Sequence, residues 1–309
     1  RDPGFAPNNR DTLLIAHRGA TGVDERHVRR ASAALDHALP IWVDDHLHAR
    51  DVAAACSDVR RLAVAGGSGT FRAVVEGLIA AGRLEDVELL PLRLGSGNVI
   101  ARRLGHGFAI RGWGDATEAL PVIRCRAHDE MGRPWEGHAL GLVGLGTIAQ
   151  APDDVARLRP LLRRLPTAWR ERCNALAYAA SFAGRTPHAH HEEVTLHLEG
   201  ERIVCPMVAG LLTTGSLREI PVAPEPGHLA LALLGPASRR TIAKLLARVR
   251  PEVATWRADL PLSADLALRL AWRSQAPQRI FLDEDPHWVR GPLDVTLAGF
   301  AQVVRGGAA

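Results

Sequence analysis

Residues 61–82 read RLAVAGGSGTFRAVVEGLIAAG, and the reading of this stretch decides the fold. Leu62–Ala65 is a short apolar run of the kind a buried strand makes. Phe71–Ala81 carries apolar residues at helical spacing. Between them lies Gly66-Gly67-Ser68-Gly69-Thr70. Glycines let the backbone turn sharply and approach a ligand with no Cβ in the way. The amides of such a turn, and of the helix start after it, favour an anion such as phosphate. A tight connection that binds nothing has the same composition, and on this motif alone the two readings weigh evenly.

The flanking sequence repeats the pattern. Leu13–Ala16 reads as a strand, 24–38 as a helix, Ile41–Val43 as a strand, Val52–Val59 as helix-compatible, Val87–Leu92 as a strand and Asn98–Leu104 as a short helix. Such alternation predicts a parallel sheet flanked by helices. A second bend, Gly95-Ser96-Gly97-Asn98, again follows a strand and precedes a helix. Adjacent parallel strands would bring both bends to the rim where α/β proteins bind ligands. After about residue 118 the texture changes: 121–127, 193–198, 202–212, 228–234, 264–272 and 278–282 look like strands separated by Gly- and Pro-rich turns. Helical patterning appears at 153–183, broken near Pro166, and at 237–249. The expected architecture is α/β, with a parallel-sheet domain over 10–118 followed by a larger β-rich, sandwich-like domain over 119–289.

Composition narrows the function. The 309 residues suffice for two domains, and 47% apolar with 23% charged residues excludes wholesale disorder. Arg1 is not a natural start, so the numbering is expected to begin inside a longer chain. No apolar run approaches the ~20 residues of a membrane span, and the first ten residues resemble no secretory signal. Cys56, Cys125, Cys173 and Cys205 form no CxxC pair, which argues against a structural zinc or disulfide framework and for a cytoplasmic location. Lys244 is the only lysine, which disfavours phosphate-loop NTPase and Schiff-base chemistry. A net charge of +4 biases the chain towards anionic partners. The arginines are dispersed and aromatics make up only 5%, so no nucleic-acid partner is expected.

Three other patterns favour structural readings. Leu142-Val143-Gly144-Leu145-Gly146-Thr147-Ile148-Ala149 looks like a dinucleotide turn, but Pro152-Asp153-Asp154 reads as a fresh helix start, so a bend in the β-rich domain is preferred. His188, His190 and His191, with Glu192 and Glu193, have no second cluster to complete a metal site, and no metal ligand is assigned. In 238–250, Arg240, Lys244 and Arg248 form one stripe opposite Ile242, Leu245, Leu246 and Val249. Such a helix can rest on an anionic membrane, leaving peripheral membrane contact as an expectation, although packing on its own domain is the ordinary use. Arg157, Arg159, Arg163 and Arg164 are open to the same two readings.

With both glycine bends in view, the chain resembles the diacylglycerol kinase-like family of bacterial lipid, sphingosine and ceramide kinases. Residues 61–82 are similar to its GGDGT segment, and 89–104 (LLPLRLGSGNVIARRL) to its PLGTGNDFAR segment. The resemblance implies that Gly66, Gly67, Ser68, Gly69, Thr70, Gly95, Ser96, Gly97 and Asn98 bind the phosphates of ATP between two domains. A lipid or apolar alcohol would attack the γ-phosphate with magnesium assistance, and residues 290–309 would return to the first domain. Three family acids are replaced, by Ser68, Val99 and Pro226, and the early Asn-Pro pair by His17-Arg18. Asp283-Glu284-Asp285 echoes the family's DGE turn without its glycine. Valine and proline offer no ligand side chain and serine no charge, so transfer is expected to be weakened or lost. Glu225 is the substitute base, although a solvated turn carboxylate is the plainer reading. The alternative is a non-catalytic or repurposed member that keeps the interdomain cleft for a ligand or partner.

Overall fold

The computed structural model describes residues 11–306 apart from 96–97, 111, 115, 163–164, 187–190, 199, 216–223, 239, 243–254 and 284. Contacts divide the chain into two units, one running to Leu120 and resuming at Phe300, the other spanning Pro121–Gly299.

The first unit alternates strand and helix. It runs β1 (Thr12–His17), α1 (Glu25–Ala34), β2 (Leu39–Val43), α2 (His46–Ala55), β3 (Arg61–Gly66), α3 (Ser68–Ala80), β4 (Glu88–Arg93) and α4 (Val99–Arg103). The strands lie in the order β4-β3-β1-β2, all parallel. Gln302 and Val303, near the chain's end, extend the β4 edge in parallel with Glu88 and Leu89. Leu13–Ala16, Leu62–Ala65 and Leu89–Leu92 are buried throughout, as strands covered on both faces must be. The strand ends therefore deliver the bends following β1, β2, β3 and β4 to one rim.

Two helices differ from their expected bounds. Helix α1 begins where the Asp24 carboxylate accepts from the His27 amide at 2.7 Å. It stops short of residue 38 because Asp36 and His37 take left-handed φ angles of 54° and 60°. Helix α2 was expected over Val52–Val59 but spans His46–Ala55, because Asp45 caps it, accepting from the His48 amide at 2.7 Å. Its buried positions are alanines four apart, Ala49 and Ala53, too small to advertise an apolar stripe.

The second unit is β-rich. It contains most of β5 (Thr117–His128), then β6 (Pro134–Ala139), β7 (Leu142–Gly146), α5 (Ala151–Leu162), α6 (Thr167–Arg185), β8 (Glu192–Leu198), β9 (Glu201–Met207), β10 (Ala209–Thr213), β11 (His228–Leu234), β12 (Thr255–Pro261), β13 (Ala267–Trp272), β14 (Gln278–Leu282) and the greater part of β15 (Asp285–Val304). One antiparallel group runs β12-β11-β10-β7-β14, and another runs β9-β8-β13-β15. Buried side chains of both groups, among them Leu145, Leu212 and Ile280 from the first and Leu196, Leu270 and Leu293 from the second, form one core cluster. The expected strand 202–212 is two strands, β9 and β10, broken at Val208. Strand β7 is antiparallel to both neighbours, and Gly146 turns with φ 65° into a 3₁₀ turn rather than a helix. A dinucleotide turn needs a parallel strand feeding a helix directly, so this glycine stretch is a bend. Among the described residues no helix is long and apolar enough to cross a membrane. Most of the basic stretch 238–250 lies outside the described residues. Within it, Ile242 is 1% exposed and packs with Phe182, Ala209 and Leu234.

Asp283, between β14 and β15, locks this unit. It takes φ 47°, is 4% exposed, and its carboxylate accepts the amides of Leu140 at 2.5 Å, Gly141 at 2.9 Å and Leu142 at 2.9 Å. Its own amide donates back to the Leu142 carbonyl. The first acid of the DGE-like turn is thus committed to the β6–β7 connection. Burial chiefly, and then the Asp283 charge, pushes the Cys125 thiol up to about 12. Asp283→Ala strands three buried amides, and urea unfolding is expected to show a loss of about 3 kcal/mol or more.

Candidate phosphate-binding site

The bend after β3 is made by Gly66 and Gly67, and α3 begins at Ser68. Gly67 is the N-cap and, lacking a side chain, leaves the first-turn amides with no capping bond. The positive end of a thirteen-residue helix is therefore presented at the strand rim. Ser68 is 5% exposed, and its Oγ has no hydrogen-bond partner. A buried hydroxyl left in that state costs about 1–3 kcal/mol.

The second bend touches the first. A Cβ on Gly95 would stand 2.5 Å from the Gly67 Cα and 3.1 Å from the Gly66 carbonyl oxygen. Asn98 holds this bend from within: its Oδ1 accepts the Gly95 amide at 2.6 Å, and its Nδ2 donates to the Gly95 carbonyl at 2.9 Å. Asn98 itself takes φ 49°, a conformation asparagine tolerates better than most residues. It braces the bend, while Ser96 and Gly97 lie outside the described residues. Beneath the bends lies a small crevice lined by Val64, Phe71, Leu92, Ile100 and Ser68 among others.

In the sequence, His17 stands out only as a substitution. The structure puts it at the centre of the rim. Its Nδ1 lies 2.9 Å from the Thr70 Oγ1, and its Nε2 lies 3.2 Å from the Asp44 carbonyl oxygen. His46 stands edge-on to it, with ring centroids 5.4 Å apart. Beside it Arg18 pairs with Asp44 at 3.1 Å and covers Trp42. The loop after β1 is tied to the second bend, because Gly22 donates its amide to the Leu94 carbonyl at 3.0 Å. Three loops thus converge on the start of α3.

Acids are missing from the two glycine bends themselves. The described bend residues carry no carboxylate, and among the described residues no group of three His, Cys, Asp or Glu could hold a metal ion. Magnesium wants hard anionic oxygens, so Ser68 and Val99 do not fit a carboxylate-held cation. Glu225 lies in the second unit, exposed on the turn before β11, where its carbonyl accepts the His228 amide at 3.0 Å. Pro226 follows it in that turn, its carbonyl 3.0 Å from the His228 ring. His188 and His190 lie outside the described residues, whereas Glu192 is engaged by Gln278 and Glu193 by Arg273.

A parallel sheet whose bends place glycines and a helix start at the strand ends defines an α/β class of fold. Residues 12–131 match the family model for the diacylglycerol kinase catalytic domain. The fold of the whole chain agrees. It is similar to two structures of a putative diacylglycerol kinase from Bacillus anthracis str. Sterne. The first has 14% identity and a TM-score of 0.70, covering 97% of this chain and 98% of that one. The second has 15% identity and a TM-score of 0.71, covering 96% and 97%. It is also similar to yeast NADH kinase complexed with NADH, at 11% identity, a TM-score of 0.51 and coverage of 96% and 84%. No curated protein matches the chain.

Gly95→Ala forces a methyl group against the first bend. We expect a loss of about 1–3 kcal/mol on urea unfolding, with the contact between the bends opened.

Proposed function

We propose that this chain binds ATP by its phosphates along the rim formed by the two bends and transfers the γ-phosphate slowly to a lipid or lipid-like alcohol. The observation that carries this reading is the Gly67–Gly95 contact, which gathers the uncapped start of α3 and the Asn98-braced bend at one point. Gly66, Gly67, Ser68, Gly69 and Thr70 supply the first bend, Gly95, Ser96, Gly97 and Asn98 the second. The match to a kinase family model supports nucleotide use in general.

Slowness follows from charge. Phosphoryl transfer depends on neutralising the charge that develops on the phosphates and on placing the attacking oxygen. Helix-start amides do part of the first task. The carboxylates that would hold a divalent cation are absent at Ser68, Val99 and Pro226. Glu225 remains the carboxylate proposed to take the alcohol's proton, and a lipid or apolar alcohol the proposed substrate. The same three replacements favour a second reading, in which the chain binds its ligand and transfers nothing.

Titration with ATP, followed by a phosphate-transfer assay on a panel of lipid alcohols, tests both. Binding with slow transfer supports the first reading, binding with no transfer the second, and no nucleotide binding with or without magnesium sinks both. Ser68→Asp restores an acid at the start of α3 and is expected to raise magnesium-dependent transfer by about tenfold or more. Glu225→Gln is expected to lower turnover by about 10²-fold, the usual contribution of a general base. Unchanged turnover would remove Glu225 from the mechanism.

A further inference from the structure

The rim contains a proton-accepting device that the missing acids make useful. Nε2 of His17 faces a backbone carbonyl, that of Asp44, which can only accept. Nε2 therefore carries the hydrogen, and in the neutral ring Nδ1 is an acceptor. The Thr70 hydroxyl, 2.9 Å away and 1% exposed, then spends its proton on the ring. One proton from solvent placed on Nδ1 reverses this bond: the ring donates, the Thr70 oxygen accepts, and the hydroxyl proton turns away from the ring. The same event sets a positive charge beside the uncapped start of α3, two residues from the unpartnered Ser68 hydroxyl.

We propose that the bends bind a phosphate-bearing ligand in its metal-free form, and that a proton taken up by His17 supplies positive charge that a cation would otherwise bring. This rests on the phosphate-binding reading above and adds to it the ionic form of the ligand and the residue that answers its charge. His17 is a positioning residue, acting through Thr70.

The groups around the ring set the direction of the pH dependence. Burial chiefly, and then His46 on α2, hold His17 below the ordinary histidine range, while the Asp44 carbonyl and the carboxylates of Asp45 and Asp44 oppose them. Asp44 is itself engaged by Arg18 at 3.1 Å and lies 3.9 Å from His48, and Thr70 faces the ring from α3. The free protein thus holds His17 neutral at pH 7 and an incoming anion raises its affinity for a proton. Binding strengthens as pH falls through the bound-state value and levels off below the free-state value.

The test is calorimetric titration of ATP, and separately of inorganic pyrophosphate, into the full chain in EDTA between pH 8 and 6, in buffers of differing ionisation enthalpy. His17→Gln can donate to Asp44 and accept from Thr70 but cannot titrate, so it removes the charge while keeping the geometry. Both proteins meet the same ligand titration, and the difference between them isolates His17. The wild-type protein is expected to bind without metal, to take up protons, and to gain about fivefold in affinity relative to His17→Gln between pH 7.5 and 6. The histidine C2–H resonance lost in His17→Gln should titrate at higher pH once pyrophosphate is added, an effect a merely structural role would not produce. Binding that appears only with magnesium, or parallel pH slopes in the two proteins, overturns this proposal and leaves the phosphate-binding reading standing. Absence of binding under every condition overturns both.

Discussion

Everything at the rim depends on how closely two backbones approach at Gly67 and Gly95. Strands β3 and β4 are in register up to Gly66 opposite Arg93, so their bends emerge side by side and must share a few ångströms of space. With a Cβ on Gly95 only 2.5 Å from the Gly67 Cα, no other residue fits there without displacing backbone. Once the two bends touch, the remainder follows. Helix α3 must start immediately at Ser68, its cap has no side chain, and the second bend needs an internal brace, which the Asn98 amide supplies.

That constraint is geometric and indifferent to charge, which explains how the site carries donors without acids. The bends are held by van der Waals contact and by hydrogen bonds from Asn98 and Gly22. None of these requires a carboxylate at 68 or 99. The donors at the start of α3 are backbone amides, which substitution leaves in place. Carboxylates are side chains and can be exchanged singly.

Much of the first unit was legible because its strands are continuous apolar runs and its bends are glycines, the two features a parallel sheet imposes most directly. The second unit was less so. Strands β6, β7 and β12 were not read, and β7 looked like a ligand turn because Gly144 and Gly146 disguise an antiparallel strand flanked on both sides. Strand β15 carries Pro286, Gly291, Pro292 and Gly299, residues that ordinarily end strands, yet it runs unbroken from Asp285 to Val304. The anchoring of Asp283 was invisible because its partners at Leu140–Leu142 lie more than a hundred positions away. His17 showed only as a departure from a pattern, since its bond to Thr70 spans 53 positions.

The identity of residue 68 joins stability to function. At 5% exposure, a carboxylate there would be taken out of water beside a helix start that offsets only part of its charge. Without a bound cation the remainder is a desolvation penalty of several kcal/mol, or a proton taken up to escape it. Serine fills the position with an unpartnered hydroxyl, which costs about 1–3 kcal/mol and no charge. An acid at 68 is thus tolerable mainly when metal is present, and serine when it is not. The imidazole of His17, which bonds Thr70 near the start of α3, is by contrast a group whose charge can change, which a fixed carboxylate–metal pair cannot do.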